Sequence, residues 1–355
     1  MSCNKLFKSS FSYFSMGLEF DKKNSPPEMI LEKIKKSKRI AMTLHIMPDG
    51  DSIAVCTAMK YFLKRDFGIE SDIYNSDTVT EELGELSFCK EVLFGKDLTE
   101  ADLKKYDLVL CLDSAREYML SAKHPDFEFP ENVFVINIDH HNTNPYYGNL
   151  NYVDIGSPST CSVVLGLMKK WGVKFDSELS TRLLLGICTD TRFFQVGERV
   201  DEALKDTVFL IEKGAEYFER VVKPVLYNIP LKRKKFEKIL LNNMRYDEEL
   251  KVGWSCVSYD EWKKIGINEA EIRNGIQNLE GVKDFDFVFV LIQMEDGRIK
   301  GSFRGNKGVN VVRYAEGLGG GGHKYAAAFM LDEMTIKEAE ARVLGVIEEL
   351  GVKRE

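Results

Sequence analysis

Histidine is scarce in this 355-residue chain, with five residues, and only His124 stands apart from a loop rich in aspartate or glycine. The seven cysteines, at 3, 56, 89, 111, 161, 188 and 256, form no CxxC pair, and several fall inside apolar runs. An odd count in that setting reads as reduced, mostly core thiols of a cytoplasmic protein. No apolar run approaches the roughly 18 residues of a membrane span, so membrane attachment is not expected. The first 24 residues carry Lys5 and Lys8, but serines break their hydrophobicity, which is a poor fit to a signal peptide. They read as an extension dispensable for chemistry over residues 1–15, with Met16 as an alternative initiator. Positive charge is also in deficit. A formal net charge of -7 and a pI near 5.5 do not describe a protein that holds duplex nucleic acid by its general surface. They leave room for small anionic substrates, because a metal pair can neutralise a few phosphates locally. The glycine run at 317–322 does not read as the dinucleotide-binding fingerprint, and no Lys-Ser or Lys-Thr follows it, so neither a dinucleotide fold nor a P-loop is indicated.

What the chain does have is MTLHIMPDGDS, residues 42–52, which delivers His45, Asp49 and Asp51 between two apolar runs. RIAMTLH before it reads as a buried strand, and SIAVCTAMKYFLK after it as a helix apolar on nearly every side. Strand, ligand loop and buried helix form the opening unit of a parallel α/β sheet covered on both faces. Taken alone, His45 reads equally as a satisfied sheet-end histidine, and Asp49 and Asp51 as a turn around Gly50.

Three later segments change that balance. KYDLVLCLDSAR, 105–116, is a strand ending at Asp113, with Ser114 as a candidate helix cap. VFVINIDHHNTNP, 133–145, is a strand that ends in Asp139, His140 and His141, and adjacent imidazoles in a loop point in different directions. One can bind metal while the other meets substrate. LSTRLLLGICTDTRFF, 179–194, is a buried helix running into Asp190. Carboxylates and imidazoles gathered at strand ends are what a two-metal hydrolytic site requires, Asp113 being the candidate bridge. GSPSTCSVVLGLMKKWG, 156–172, begins with small hydroxyl residues and continues as a helix, whose start could cap it and aim N–H groups at phosphate, though ordinary capping suffices.

The length favours two domains. Residues 25–212 read as the catalytic domain and 213–235, with two prolines and a basic run, as a linker. Residues 236–355 read as a smaller mixed α+β domain, with strands in KVGWSCVS, DFVFVLIQME and GRIKGSFRG. EAEIRNGIQNLE and 335–350 read as helices, and DGR at 296–298 as a hairpin turn. Arg304 ends that hairpin. GLGGGGHKYAAAF then supplies a glycine-rich loop, Gly320–Gly322, with His323, where main-chain N–H groups can approach an anion and an arginine can grip phosphate bidentately.

In this order the motifs resemble a DHH-family phosphoesterase with the DHH-associated C-terminal domain, over about residues 30–350. The resemblance implies two divalent ions per chain, most simply manganese. His45 and Asp49 would bind one, Asp51, His140 and Asp190 the other, and Asp113 would bridge. His141 would contact the scissile phosphate, Asp139 would support the histidines, and Arg304, Gly320, Gly321, Gly322 and His323 would hold the nucleotide beyond it. The implied activity is phosphodiester hydrolysis of pApA and other very short 5′-phosphorylated oligonucleotides by two-metal-activated water, with cyclic di-AMP as a further substrate, in a cytoplasmic homodimer. The alternatives are a phosphatase of 3′-phosphoadenosine 5′-phosphate and a non-catalytic nucleotide sensor. Lys324 and Tyr325, where proline and asparagine are usual, and Gly305 in place of serine bear on substrate preference.

Overall fold

Strand β1 (Arg39–Thr43) is buried from Ile40 onward because helices cover both faces of the sheet it centres. It pairs in parallel with β2 (Glu70–Asn75) on one side and β4 (Leu108–Leu112) on the other. β3 (Val92–Phe94), β5 (Val135–Asp139) and β6 (Leu150–Val153) extend the same parallel sheet, giving the order β3-β2-β1-β4-β5-β6. The chain direction across the sheet reverses between β1 and β4. In open α/β sheets such a switch point opens a crevice at the carboxyl ends of the strands, which is where ligands bind.

The computed structural model describes residues 24–352 except 78, 80, 102, 122, 125, 273, 274 and 307, and of residues 82, 87, 270 and 323 the backbone alone. The expectations for residues 1–15 and Met16 lie outside the described residues. Two compact units divide between Ile229 and Pro230. The 213–235 stretch, expected as a linker, is helical over Tyr217–Tyr227 and again from Leu231. Its prolines read as breakers, yet Pro224 lies inside wide turns closed by bonds such as Asn228 N–H to the Lys223 carbonyl, and Pro230 precedes a helix, where its missing N–H costs nothing.

In the first unit, α1 (Pro27–Lys36) buries Ile30 and Ile34, and its basic last turn suits the helix dipole. Just before it, Asn24 and Ser25 hydrogen-bond along the outer edge of β6, to Val153 and Asn151. α2 (Gly50–Phe67) begins at an Asp49–Ser52 capping box and ends at left-handed Gly68. α3 (Thr160–Lys170) is capped by Ser159, and α4 (Ser177–Asp190) by Asp176. α5 (Val200–Glu212) follows. The core joins Ile53, Val55 and Phe62 of α2 to Val164 of α3 and Leu184 of α4. The described cysteines are free thiols, all buried except half-buried Cys256.

The second unit is α+β, as expected. Strands β7 (Met244–Asp247), β8 (Val252–Val257), β9 (Phe287–Gln293), β10 (Ile299–Gly305), β11 (Gly321–His323) and β12 (Ala326–Leu331) form a mixed sheet ordered β11-β12-β10-β9-β8-β7. α6 (Leu231–Asn242) packs with one face of the sheet, while α7 (Val312–Gly317) and α8 (Ile336–Leu350) pack with the other. The expected β9–β10 hairpin forms, with Gly297 left-handed in its turn. The helix expected over 269–280 is instead two short pieces, Glu269–Ile272 and Gly275–Asn278. At Gly275 any Cβ would press on Phe236 and Leu240, so glycine allows the chain to pass close to α6 there.

α2 and α4 lie close where glycine permits it. A Cβ on Gly186 would overlap Asp51 Oδ1 and Cys161 Sγ. We predict that Gly186→Ala, despite a helix-propensity gain of roughly 1 kcal/mol, lowers stability by about 1–3 kcal/mol through overpacking. Urea denaturation monitored by circular dichroism checks this, and an unchanged midpoint would show that α4 can withdraw at no cost.

Candidate metal centre

Every acidic or imidazole group expected at the first-unit site comes from the carboxyl end of a sheet strand or from a helix end facing it. β1 leads to His45, 8% exposed, and to Asp49, which caps α2 through the Ser52 N–H. Asp51, 1% exposed, belongs to the first turn of α2. The Asp49-Gly50-Asp51 sequence is therefore a helix start and not a free turn. β4 ends before Asp113, 2% exposed, whose φ of 58° is left-handed. Asp tolerates that region better than most residues. The helix expected to be capped by Ser114 does not form, and a single 3-10 turn, Glu117–Leu120, follows instead. β5 delivers Asp139, His140 and His141, and α4 ends on Asp190.

Three groupings result, His45 with Asp49 and Asp113, Asp51 with His140 and Asp190, and Asp113 with His140 and His141. In each, one ligand atom per residue lies within 4.8 Å of the others. His45 Nε2 is 3.6 Å from Asp49 Oδ1 and 3.6 Å from Asp113 Oδ2. His140 Nε2 is 3.7 Å from Asp113 Oδ1 and 3.4 Å from Asp190 Oδ2. These separations are too long for hydrogen bonds. They lie at the upper end of the spacing of donor atoms around one ion, roughly 2.8–3.6 Å for ligand distances of about 2.0–2.2 Å, the His140–Asp113 separation falling just beyond it. The two oxygens of Asp113 face different groupings.

The histidines share one orientation. Nδ1 of His45 lies 2.7 Å from the Ile46 carbonyl, and Nδ1 of His140 lies 2.9 Å from the Ser157 carbonyl. A carbonyl only accepts, so each Nδ1 carries the proton and each neutral ring offers Nε2 as a lone-pair donor. Nδ1 of His141 donates to Asp139 Oδ1 at 2.7 Å. Asp139 is fully buried and also accepts from the His140 N–H and from Asn144 Nδ2. It stands behind the histidines and positions them.

Negative charge is crowded here. Burial, then Asp113 and Asp190, push Asp51 well above the ordinary carboxylate range. Burial pushes Asp190 up to about 7 in spite of His140, with Asp49 and Asp113 adding to the rise. Burial opposes the His140 imidazolium, but Asp113, Asp190 and Asp51 outweigh it and hold its pKa up at about 9. Without another cation the cluster keeps protons. The arrangement can hold divalent metal, which would replace them.

Sequence reasoning missed two contributors. The start of α3, expected to aim its N–H groups at phosphate, aims them at Asp51: Thr160 N–H reaches Oδ2 at 2.6 Å and Cys161 N–H reaches Oδ1 at 3.1 Å. Thr160 Oγ1 also donates to Asp113 Oδ1 at 2.8 Å. Main-chain donors leave no signature in residue type. Asn144, which donates to both Asp139 and Asn137, was not singled out by its residue type.

In the second unit, the glycine-rich stretch is not an open loop. Gly321–His323 pairs antiparallel with β12 as strand β11. A Cβ on Gly320 or Gly322 would strike β12, so packing alone requires those two glycines, whereas a Cβ on Gly321 would meet no atom within 4 Å. Arg304 at the end of β10 pairs with Glu280, Nε to Oε1, at 2.9 Å.

Comparison with known proteins follows the same division. The model described as "DHH family, N-terminal domain" matches residues 39–187, and the DHHA1 domain model matches residues 255–350. The bifunctional oligoribonuclease and PAP phosphatase NrnA of Thermus thermophilus is 28% identical over 316 residues, 87% of this chain and 89% of its own. The Bacillus subtilis protein of the same name is 24% identical over 309 residues, 84% of this chain and 91% of its own. The crystal structure of an exopolyphosphatase-related protein from Bacteroides fragilis aligns with a TM-score of 0.81 at 19% identity, covering 91% of this chain and 96% of that one, which shows a shared fold. The chain belongs to the DHH family, its DHH domain being followed by a DHHA1 domain.

Proposed function

We propose that the protein is a manganese-dependent phosphodiesterase that hydrolyses pApA and other very short 5′-phosphorylated oligonucleotides to mononucleotides, with cyclic di-AMP as a further substrate. The observation that carries this reading is Asp113, buried at the switch point with one carboxylate oxygen toward each ligand grouping. The NrnA names of the relatives support the substrate class, and the PAP phosphatase half of those names supports a second reading, removal of phosphate from 3′-phosphoadenosine 5′-phosphate.

His45 and Asp49 would hold one ion, Asp51, His140 and Asp190 the other, with Asp113 shared. Two ions so held would supply Lewis acidity, lowering the pKa of water and neutralising phosphoryl charge. Imidazoles within a mostly carboxylate shell favour manganese over magnesium. Burial works against a charged His141, but its bond to Asp139 holds the pKa above the ordinary value, so Nε2 can donate a proton-bearing contact to a phosphoryl oxygen. Thr160 and the α3 N–H groups keep Asp113 and Asp51 in place. Arg304, Gly320, Gly321, Gly322 and His323 are assigned to nucleotide binding. Of the three glycines, Gly321 is the one whose lack of a side chain packing does not require, leaving its main chain approachable.

Asp113→Asn keeps a side chain that tolerates left-handed backbone, so the variant should fold. Its turnover of pApA should fall by more than about a hundredfold, since losing a ligand should exceed the loss of a ligand's hydrogen-bond partner. Chromatographic detection of AMP decides this, and undiminished hydrolysis would refute the shared carboxylate. Arg304→Ala should raise KM for pApA by about tenfold or more, the scale of a hydrogen bond to a charged group; an unchanged KM would remove Arg304 from the binding residues.

Metal uptake should be proton-linked. At pH 7 the metal-free cluster holds protons on His140, whose pKa is held up at about 9, and in part on Asp190, at about 7, with Asp51 and His45 also shifted upward, so binding should release protons, and fewer at pH 9 than at pH 7. Because metal competes with protons on groups whose pKa values are raised, affinity should rise with pH through that window. Calorimetry of manganese binding in buffers of different ionisation enthalpy measures both, with two ions per chain expected. PH-independent affinity or a single site in the active protein would overturn the assignment.

A further inference from the structure

His140, His141 and Asp190 also line a cleft of about 290 Å³ within the first unit, whose remaining walls come from Asn142 and two further loops. One follows β6 and presents Ile155, the other follows α4 and presents Val196. Each apolar residue is followed by a left-handed glycine, Gly156 at φ 87° and Gly197 at φ 112°. Arg199 ties the loops together by an ion pair to Asp154 at 2.8 Å. Ile155 and Val196 remain 52% and 40% exposed. Scattered apolar residues on a surface need no explanation. Two lining one cleft that opens onto candidate metal ligands form a slot.

The polar lining narrows what the slot can accept. Neither lysine nor arginine is among its described lining residues, while Glu198 and Asn142 are. A further phosphate beside the reacting one would meet the Glu198 carboxylate and no cation among the described lining residues. A ring edge bearing N–H groups would find an acceptor there, and a flat base would lie against the two apolar side chains. The volume is at the lower end for small-ligand sites and suits one nucleoside.

We propose that this cleft binds the base of a nucleoside joined to the scissile phosphate, with Ile155 and Val196 as its contact surfaces, and that purines are preferred because they cover more apolar area. The proposal rests on the phosphodiesterase reading and adds to it a base subsite that disfavours polyphosphate chains.

The test compares wild-type protein with Ile155→Ala/Val196→Ala, both loaded with manganese and shown to hold equal metal. The substrates are pApA, the same dinucleotide with a pyrimidine at either position, and abasic analogues at either position. At one position, removal of adenine should lower wild-type kcat/KM about tenfold, with the pyrimidine intermediate, and the double variant should keep less than a twofold dependence. Calorimetry gives a second readout: AMP should bind the variant about tenfold more weakly, and inorganic phosphate about equally to both proteins. Base dependence that persists in the variant, or wild-type hydrolysis indifferent to the base at both positions, overturns the proposal. Failure to hydrolyse any dinucleotide, together with the expected AMP difference, would overturn the phosphodiesterase reading and leave the base subsite standing; failure with equal AMP affinities would overturn both.

Discussion

The first unit depends on accommodating one buried carboxylate. Asp51 lies in the first turn of α2 and accepts two N–H groups from the first turn of α3, so two helix N-termini, each equivalent to roughly half a positive charge, converge on it. α4 can approach only because position 186 is glycine, and Gly50 on α2 makes the reciprocal allowance for Thr189 on α4. Fixing these three helices around Asp51 fixes the groups at their ends: Asp49 at the cap of α2, Thr160 beside Asp113, and Asp190 at the last residue of α4. The helix dipoles favour an ionised Asp51 but do not overcome its burial and the carboxylates beside it, which hold its pKa well above the ordinary range, so the cluster retains protons that a divalent cation would expel.

How much of this could be read in advance follows from what each element needs from its residues. β1, β4 and β5 are buried almost throughout and stand in the sequence as largely apolar runs followed by aspartate or histidine, Asn137 interrupting β5. The acidic and imidazole groups of the candidate site stood out in the sequence because few uses other than a metal centre put a histidine pair at a strand end. β3, three residues long at the sheet edge, is too short for periodicity to register. The glycine run at 319–322 was legible as composition but not as conformation. Small residues that permit an anion to approach also permit a neighbouring strand to approach, and the pairing of β11 with β12 uses that property. The helical stretch around Pro224 was hidden because proline is disfavoured in ordinary helical turns and tolerated in wider ones.

The three site histidines show how main-chain geometry selects chemistry without a distinctive sequence. Two are anchored by carbonyl oxygens and the third by Asp139, and each anchor fixes which nitrogen is left to face the site. A ring without such an anchor could present either tautomer. The burial of Asp139 and its link to Asn144 therefore matter to the direction of a lone pair several ångströms away.

The bonds from Asn24 and Ser25 to β6 have a bearing on solubility. An outer strand with open N–H and C=O groups is a template on which a second chain can add. Here the side chain of Asn24 takes both the N–H and the carbonyl of Val153, and Ser25 takes those of Asn151, so the two residues serve in place of a seventh strand. A shortened protein beginning at Pro26 would retain its candidate metal ligands and its core, yet it would expose this edge to edge-on association between copies.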